Sequence, residues 1–305
     1  MAVHYLAPTE TARLLGSNYP LQCDNLGLIL ARYLPHEAIR NGKEDMILNQ
    51  QGRPTETIRS DWLKKLVKRF QKEDNPALHE LQKSLIKRWQ EQVLATPSLI
   101  FEMRLRSRMV VGLGGKNALE FGITLHHTSG MPILPGSALK GAARNFALLT
   151  IAADLDYPND AASLEALDAQ LMSRDDMPHT DALIYRRAFG SQESAGECIF
   201  HDALVSRMPT TGSLYAVDVM TPHFVKYYTS SGGDAPDDGD NPNPISFLTV
   251  ERGTTFGVAV STRRGAPDEE AVRLRAAQWV VEALDMLGIG AKTASGYGIF
   301  TLIEK

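Results

Sequence analysis

The sequence predicts an α+β fold in which an antiparallel sheet is backed by two helices. From residue 98 the elements read strand, helix, strand, strand, helix, strand. Period-two alternation marks the strands and a 3.6-residue period marks the helices. A Gly-, Pro- and Asp-rich stretch interrupts the middle strands. That order is the ferredoxin-like arrangement, which RNA-recognition modules share. A helical N-terminal region at 1–96 packs on this core at 97–305, with an insertion at about 206–250.

The helical region comes first. "DWLKKLVKRF" places Trp62, Leu66, Val67 and Phe70 on one face, and after Pro76 the residues Leu78, Leu81, Leu85 and Trp89 repeat at helical spacing. Such a stripe is core, or a face that docks a partner subunit. In "SLIFEMRLRSRMVVG", Phe101, Met103 and Leu105 point one way, while Glu102, Arg104, Arg106 and Arg108 point the other. The arginine row is a solvated face or a surface that tracks phosphates. "PGSALKGAARNF" opens a helix with Ser137 as the expected N-cap. Lys140 and Arg144 are four apart on it, and Gly136 and Gly141 leave room for another backbone. Exposed amides at that helix start would suit a phosphate.

"GECIFHDALV" and "SLYAVDVM" read as strands, and the sequence between Thr221 and Pro244 reads as a long flexible loop. His223, Phe224, Lys226, Tyr227 and Tyr228 lie together at its start; they stack bases or anchor the loop. "ISFLTV" and "TTFGVAVS" are two further strands. "DEEAVRLRAAQWVVEALDMLG" is the clearest helix, opened by acids and closed by Gly288. "YGIFTLI" is the last strand.

Bulk properties bound the function. The chain has 305 residues, 43% of them hydrophobic and 22% charged, with a net charge of −4. No run of about eighteen apolar residues is present, and "MAVHYLAPTETARLLG" lacks the pattern of a signal peptide. Cys23 and Cys198 are too few for a disulfide framework or a cysteine-rich zinc site. A cytoplasmic protein without metal or cofactor is expected. The net charge alone argues against a nucleic-acid binder. Between Leu99 and Leu149, however, six basic residues (Arg104, Arg106, Arg108, Lys116, Lys140, Arg144) face only Glu102 and Glu120.

The segment "GIGAKTASGYGIF" tests a phosphate-loop reading. In a P-loop the two glycine positions before Lys292 would be filled by Ala291 and Met286, and the loop would run from strand to helix. Both conditions fail. "GLGGKN" fails the dinucleotide pattern, because Asn117 stands at the third glycine position. What remains is a loop of exposed amides beside Lys292, suited to an anionic backbone without reading its sequence. A tight helix–strand connection would need one or two glycines; Gly288, Gly290, Gly296 and Gly298 are all present.

"MPILPGSALKGAAR", "RAFGSQESAGECIFHDA", "DVMTPHFVKYY" and "GIGAKTASGYGIF" together resemble the RAMP superfamily of CRISPR-associated proteins, and within it the sixth-subunit family of type III-B Cmr effector complexes. The resemblance covers roughly residues 98 to 303. It implies a ferredoxin-like core in a ribonucleoprotein of antiviral defence, holding the 3′ part of a CRISPR guide RNA and capping the filament of the repeating backbone subunit. It implies guide RNA, target RNA and the other Cmr subunits as partners. Its glycine loop falls on Gly288, Gly290, Lys292, Thr293, Gly296, Tyr297 and Gly298. Its helix-opening motif falls on Pro135, Gly136, Ser137, Lys140, Gly141 and Arg144, with Ala138 where a second serine is usual. The segment with His223, Lys226, Tyr227 and Tyr228 would be a projecting thumb that meets the guide–target duplex or a neighbour. Arg104, Arg106 and Lys116 complete the expected RNA contacts.

No catalytic residue is expected. The alternative is a metal-independent ribonuclease using His126, His223 and Lys292 for acid–base work. His126 and His127 are adjacent and point opposite ways on a strand, so at most one enters a site. No nucleophile motif such as G-x-S-x-G is present.

Overall fold

The computed structural model describes residues 4–5, 10, 13, 23–32, 35–40, 43–46, 56–71, 75–115, 122–173, 178–191, 193–221, 235, 244–263 and 269–303. The N-terminal part contains β1 (His4–Tyr5), α1 (Leu26–Arg32), β2 (Pro35–Arg40), β3 (Lys43–Met46), α2 (Glu56–Arg69) and α3 (Pro76–Leu94). The three short strands pair as β1-β2-β3, a sheet that the apolar pattern does not announce. Helix α3 starts where Asn75 accepts the Leu78 amide and Pro76 occupies the first turn.

The main sheet is built from β4 (Ser98–Leu105), β5 (Ile133–Leu134), β6 (Cys198–Phe200), β7 (Ala203–Arg207), β10 (Thr255–Thr262) and β11 (Phe300–Ile303). Its order is β11-β4-β10-β7-β5, with β6 also on β10, and every pairing is antiparallel. The four strands expected from the sequence therefore lie in the order fourth, first, third, second. Helices α4 (Gly136–Asp154) and α7 (Glu269–Met286) pack on each other, and α7 packs on β4, β10 and β11. Two more helices, α5 (Ala161–Ser173) and α6 (Thr180–Phe189), lie against them. The expected pair of backing helices is thus part of a larger helical layer. Trp279 of α7 is completely buried at its centre, stacked on Phe189 and edge-on to Tyr185.

Strands β8 (Tyr215–Met220) and β9 (Ile245–Val250) pair as a two-stranded ribbon, tied at Val250 to Met109 by an isolated antiparallel bridge. This ribbon brackets the Gly- and Asp-rich stretch. Helix α2 packs on it, and Phe70 meets Tyr215 edge-on at 5.7 Å.

The second face of the sheet is covered. In RNA-recognition modules that face is open, but here α3 lies across β7 and β10. All eight residues of β10 are buried, which requires cover on both sides. Gly257 explains how the helix comes so close: a Cβ there would stand 3.2 Å from both Ile86 and Trp89. Trp89 and Val93 pack on Ala259, with Ile100 and Leu204 around them. Gln82 is buried and donates to the carbonyls of Val205 (2.8 Å) and Ser206 (3.0 Å). Burial of that amide is tolerable because both its hydrogens are used.

Removing the Trp89 ring by Trp89→Ala should cost about 3–5 kcal/mol of stability. Gly257→Leu should also destabilise, because the helix cannot approach past a side chain. Guanidinium unfolding reads both; midpoints equal to wild type would mean that α3 contributes nothing to the sheet.

Candidate nucleic-acid interface

Helix α7 ends at Met286 and is closed at Gly288, whose φ of +73° only glycine adopts without strain. The Gly288 and Leu287 amides both donate to Ala283 O at 2.9 Å, closing the helix. The chain then folds back on itself. Ile289 N–H donates to Gly298 O at 3.0 Å, Gly298 N–H to Arg108 O at 2.8 Å, and Ala291 N–H to Val110 O at 2.8 Å. At Gly298 a Cβ would stand 2.0 Å from Ile289 O; at Gly290 it would stand 2.4 Å from Val110 O. Gly288, too, would meet Ile299 at 2.8 Å. Three of the four glycines are therefore demanded by packing and backbone angle. The expectation that a tight connection needs only one or two glycines is corrected, and glycine excess alone does not mark function here.

The tip differs from the base. Lys292 sits at φ +62° and opens a short 3-10 turn over Thr293–Ser295. Around Gly296 a Cβ would meet nothing within 4 Å. The amides of Gly290, Lys292, Thr293 and Ala294 donate to no acceptor among the described residues. Lys292 has no carboxylate partner among them, and Thr293 beside it is half-buried. This cluster of free donors around a cation can receive an anion.

Tyr297 faces inward. Its hydroxyl donates to Asp218 Oδ2 at 2.7 Å, and Arg108 Nη1 donates to the same oxygen at 3.1 Å. Burial and the bond to Asp218 push the Tyr297 phenol up to about 12. Burial alone would raise the Asp218 carboxyl, but the bonds from Tyr297, the Val219 amide and Arg108 bring it below the usual range.

The helix start of α4 is closed rather than open. The helix begins at Gly136, with Pro135 and not Ser137 as its N-cap. Gly136 N–H donates to Asp202 Oδ1 at 2.7 Å, and a Cβ at Gly136 would lie 2.0 Å from Phe200 O. Asp202 already occupies the place of an anion. Ser137 is exposed, Gly141 faces open space, and Lys140 is half-buried and near enough to Cys198 to act on its thiol. Arg144 does not join Lys140: it donates to both carboxylate oxygens of Asp168 (3.0 and 2.8 Å) and to the Tyr185 hydroxyl at 3.1 Å. These bonds hold α4 to α5 and α6 and place Arg144 apart from Lys140.

Nor do the two glycine bends form one cradle. The loop precedes β11 beside Leu105, next to the Thr255 end of β10, whereas Gly136 rests on Phe200, opposite Val260. Those ends are roughly 17 Å apart along β10.

The arginine row is also broken. Strand β4 stops at Leu105, so the alternation does not continue. Arg104 is exposed on the sheet. Arg106 pairs with Asp285 at 3.1 Å, a surface contact worth about 0–1 kcal/mol and readily exchanged. Arg108 is held between Asp218 and Glu251 (3.5 Å). Lys116, His223, Lys226, Tyr227 and Tyr228 lie outside the described residues. His126 uses its ring within its own turn, Nδ1 lying 3.0 Å from Ser129 Oγ and 3.2 Å from Thr128 Oγ1.

Sequence reasoning missed Asp202, Asp168 and Asp218. Asp218 carried a signal: in "YAVDVM" it shares a strand face with Ala216 and Met220, and an acid on an apolar face implies a partner.

Gly296→Ala should cost about 1–2 kcal/mol, the left-handed penalty alone. Gly298→Ala adds a clash with Ile289 O and should cost clearly more; thermal unfolding separates the two, and equal losses would refute the base-and-tip division. The Tyr297 phenol has a second reading in pH. Because its folded value lies above the ordinary 10.0, its contribution to stability is whole below pH 10 and fades as pH rises through about 12. Tyr297→Phe should remove that alkaline component, seen as a changed slope of stability against pH.

The RAMP superfamily profile matches residues 102–301. The CRISPR system Cmr subunit Cmr6 of Pyrococcus furiosus is 30% identical over 253 residues, which cover 72% of this chain and 72% of that protein. The CMR subunit Cmr6 of Saccharolobus solfataricus is 26% identical over 208 residues, 66% of this chain and 57% of that protein. A chain in the cryo-EM structure of the Type III-B Cmr-beta bound to cognate target RNA superposes with a TM-score of 0.56, at 19% identity, over 81% of this chain and 73% of that one; at that identity it bears on the fold alone. Among the described residues no helix is long and apolar enough to cross a membrane. On its sequence and its matched span, this chain belongs to the RAMP superfamily and, within it, to the Cmr6 family of CRISPR Cmr subunits.

Proposed function

We propose that this chain is a non-catalytic RNA-binding subunit of a type III-B CRISPR ribonucleoprotein. It holds the 3′ part of the guide RNA and caps the filament of the repeating backbone subunit. Guide RNA, target RNA and the other Cmr subunits are its partners. The observation that carries the reading is the tip of the glycine loop, where among the described residues the Lys292, Thr293 and Ala294 amides have no acceptor and the Lys292 side chain no carboxylate partner. Backbone donors with one cation grip phosphate without reading bases, which suits a subunit that must accept any guide. The fourth-first-third-second strand order supports the ferredoxin-like core on which the reading depends. With α3 across β7 and β10, contact shifts toward β4, where Arg104 is exposed between its partners on β10 and β11. Membership of the Cmr6 family supports the assembly.

Single-stranded RNA binding by the full chain should weaken in Lys292→Ala and Arg104→Ala, and each should lower the slope of log affinity against log salt by roughly one phosphate's worth, about 0.7. Arg144→Ala should instead lose stability with an unchanged slope. Affinities that ignore salt and Lys292 would end the reading. Metal-free incubation with repeat RNA should leave it intact; products that disappear in His126→Ala would establish the ribonuclease instead.

A further inference from the structure

Asp218 is a polar residue on the apolar face of β8, and three donors converge on it. Tyr297 Oη and Arg108 Nη1 share its Oδ2, at 2.7 and 3.1 Å, and the Val219 amide donates to Oδ1 at 2.9 Å. These donors come from three places far apart in the chain: the glycine loop, the segment after β4, and β8 itself. Phe247, opposite Asp218 in the β8–β9 register, packs on the Tyr297 ring at 6.3 Å. Glu251 supplies Arg108 with a second carboxylate.

The loop's other anchors lie at its base: main-chain bonds from Ile289 to Gly298, Gly298 to Arg108 and Ala291 to Val110, and the Ile299 amide on Ser107 Oγ at 3.2 Å. They fix where the loop begins and ends. They do not tie down the tip between Ala291 and Gly298, whose own main-chain bonds, Ser295 to Lys292, Gly296 to Thr293 and Tyr297 to Lys292, run only within the turn. The Tyr297 side chain is the tip's one hydrogen bond to another element among the described residues.

We infer that Asp218 is the positioning residue of the glycine loop: by gathering Tyr297 and Arg108 it holds the amides of Lys292, Thr293 and Ala294 in one arrangement, ready for a polyanionic backbone. This rests on the RNA-binding reading above and gives it an unusual sign. Asp218 is a negative charge near a site for negative ligands. If it acted through its field alone, removing it would tighten RNA binding. As a positioning residue, it loosens binding when removed, since a disordered tip must be ordered again at each encounter.

The test uses the full chain and a fluorescently labelled oligouridylate, with amide hydrogen exchange over residues 291–297 measured with and without RNA. Asp218→Ala should bind roughly tenfold more weakly or worse, the loss of at least the charge-assisted bond to Tyr297. Asp218→Asn keeps an oxygen for the Tyr297 hydroxyl and should recover most of that loss. Exchange at 295–297, whose amides bond to Lys292 O and Thr293 O, should rise in Asp218→Ala and in Tyr297→Phe, even without RNA. Should Asp218→Ala fail to fold, Tyr297→Phe carries the same comparison. Tighter or unchanged binding by Asp218→Ala, with unaltered exchange, overturns the inference. If wild type binds no RNA but the exchange pattern holds, Asp218 still positions the loop and the RNA reading alone falls.

Discussion

The site depends on backbone meeting backbone more closely than any side chain allows. At Gly290 and Gly298 the chain lies against the carbonyls of Val110 and Ile289, and these contacts clamp the loop to the segment that follows β4. A clamped base is what permits an open tip. Amides can stay unbonded at residues 292–294 because they are near solvent, while those of Ile289, Ala291 and Gly298 beneath them are used. Loss of either glycine would move the clamp and take the tip with it.

The same constraint recurs at Gly257 and at Gly136, where glycine admits a neighbour rather than a ligand. Under α3 it lets Trp89 reach the sheet; at the start of α4 it lets the helix reach Phe200. In both places closeness is bought with a missing side chain. The consequences for binding are opposite to those at the loop: one closes a sheet face, the other hands a helix end to Asp202. A glycine in this chain signals proximity first, and only its surroundings say to what.

Much of this was legible in the sequence. The alternation around Met103 and Leu105, the apolar stripe of Val272, Ala276, Trp279 and Val280, and the stop at Gly288 each correspond to a buried face or a helix end. These are local signals, and local periods survive into the fold. The partners of charged groups were not legible, because they come from distant segments. Arg144 finds Asp168 and Tyr185, Arg108 finds Asp218 and Glu251, and no spacing reveals either. The arginine row failed for a related reason: β4 ends at Leu105, and beyond the pleat a period of two no longer sets direction. Helices α5 and α6 were passed over although their residues are ordinary helix formers. The glycine loop was read from its composition, but its division into clamp and tip follows from bonds to Arg108 and Val110 that only the structure supplies.

The placement of α3 carries a consequence for how the protein is made. The surface that shelters Trp89 includes Ala259 of β10, which a ribosome adds roughly 170 residues later, or on the order of 10–30 s at usual elongation rates. For that interval an amphipathic helix waits in the cell with its tryptophan uncovered. Closing that face of the sheet is therefore a late, long-range step, and a truncation that stops before β10 removes part of the surface on which Trp89 rests.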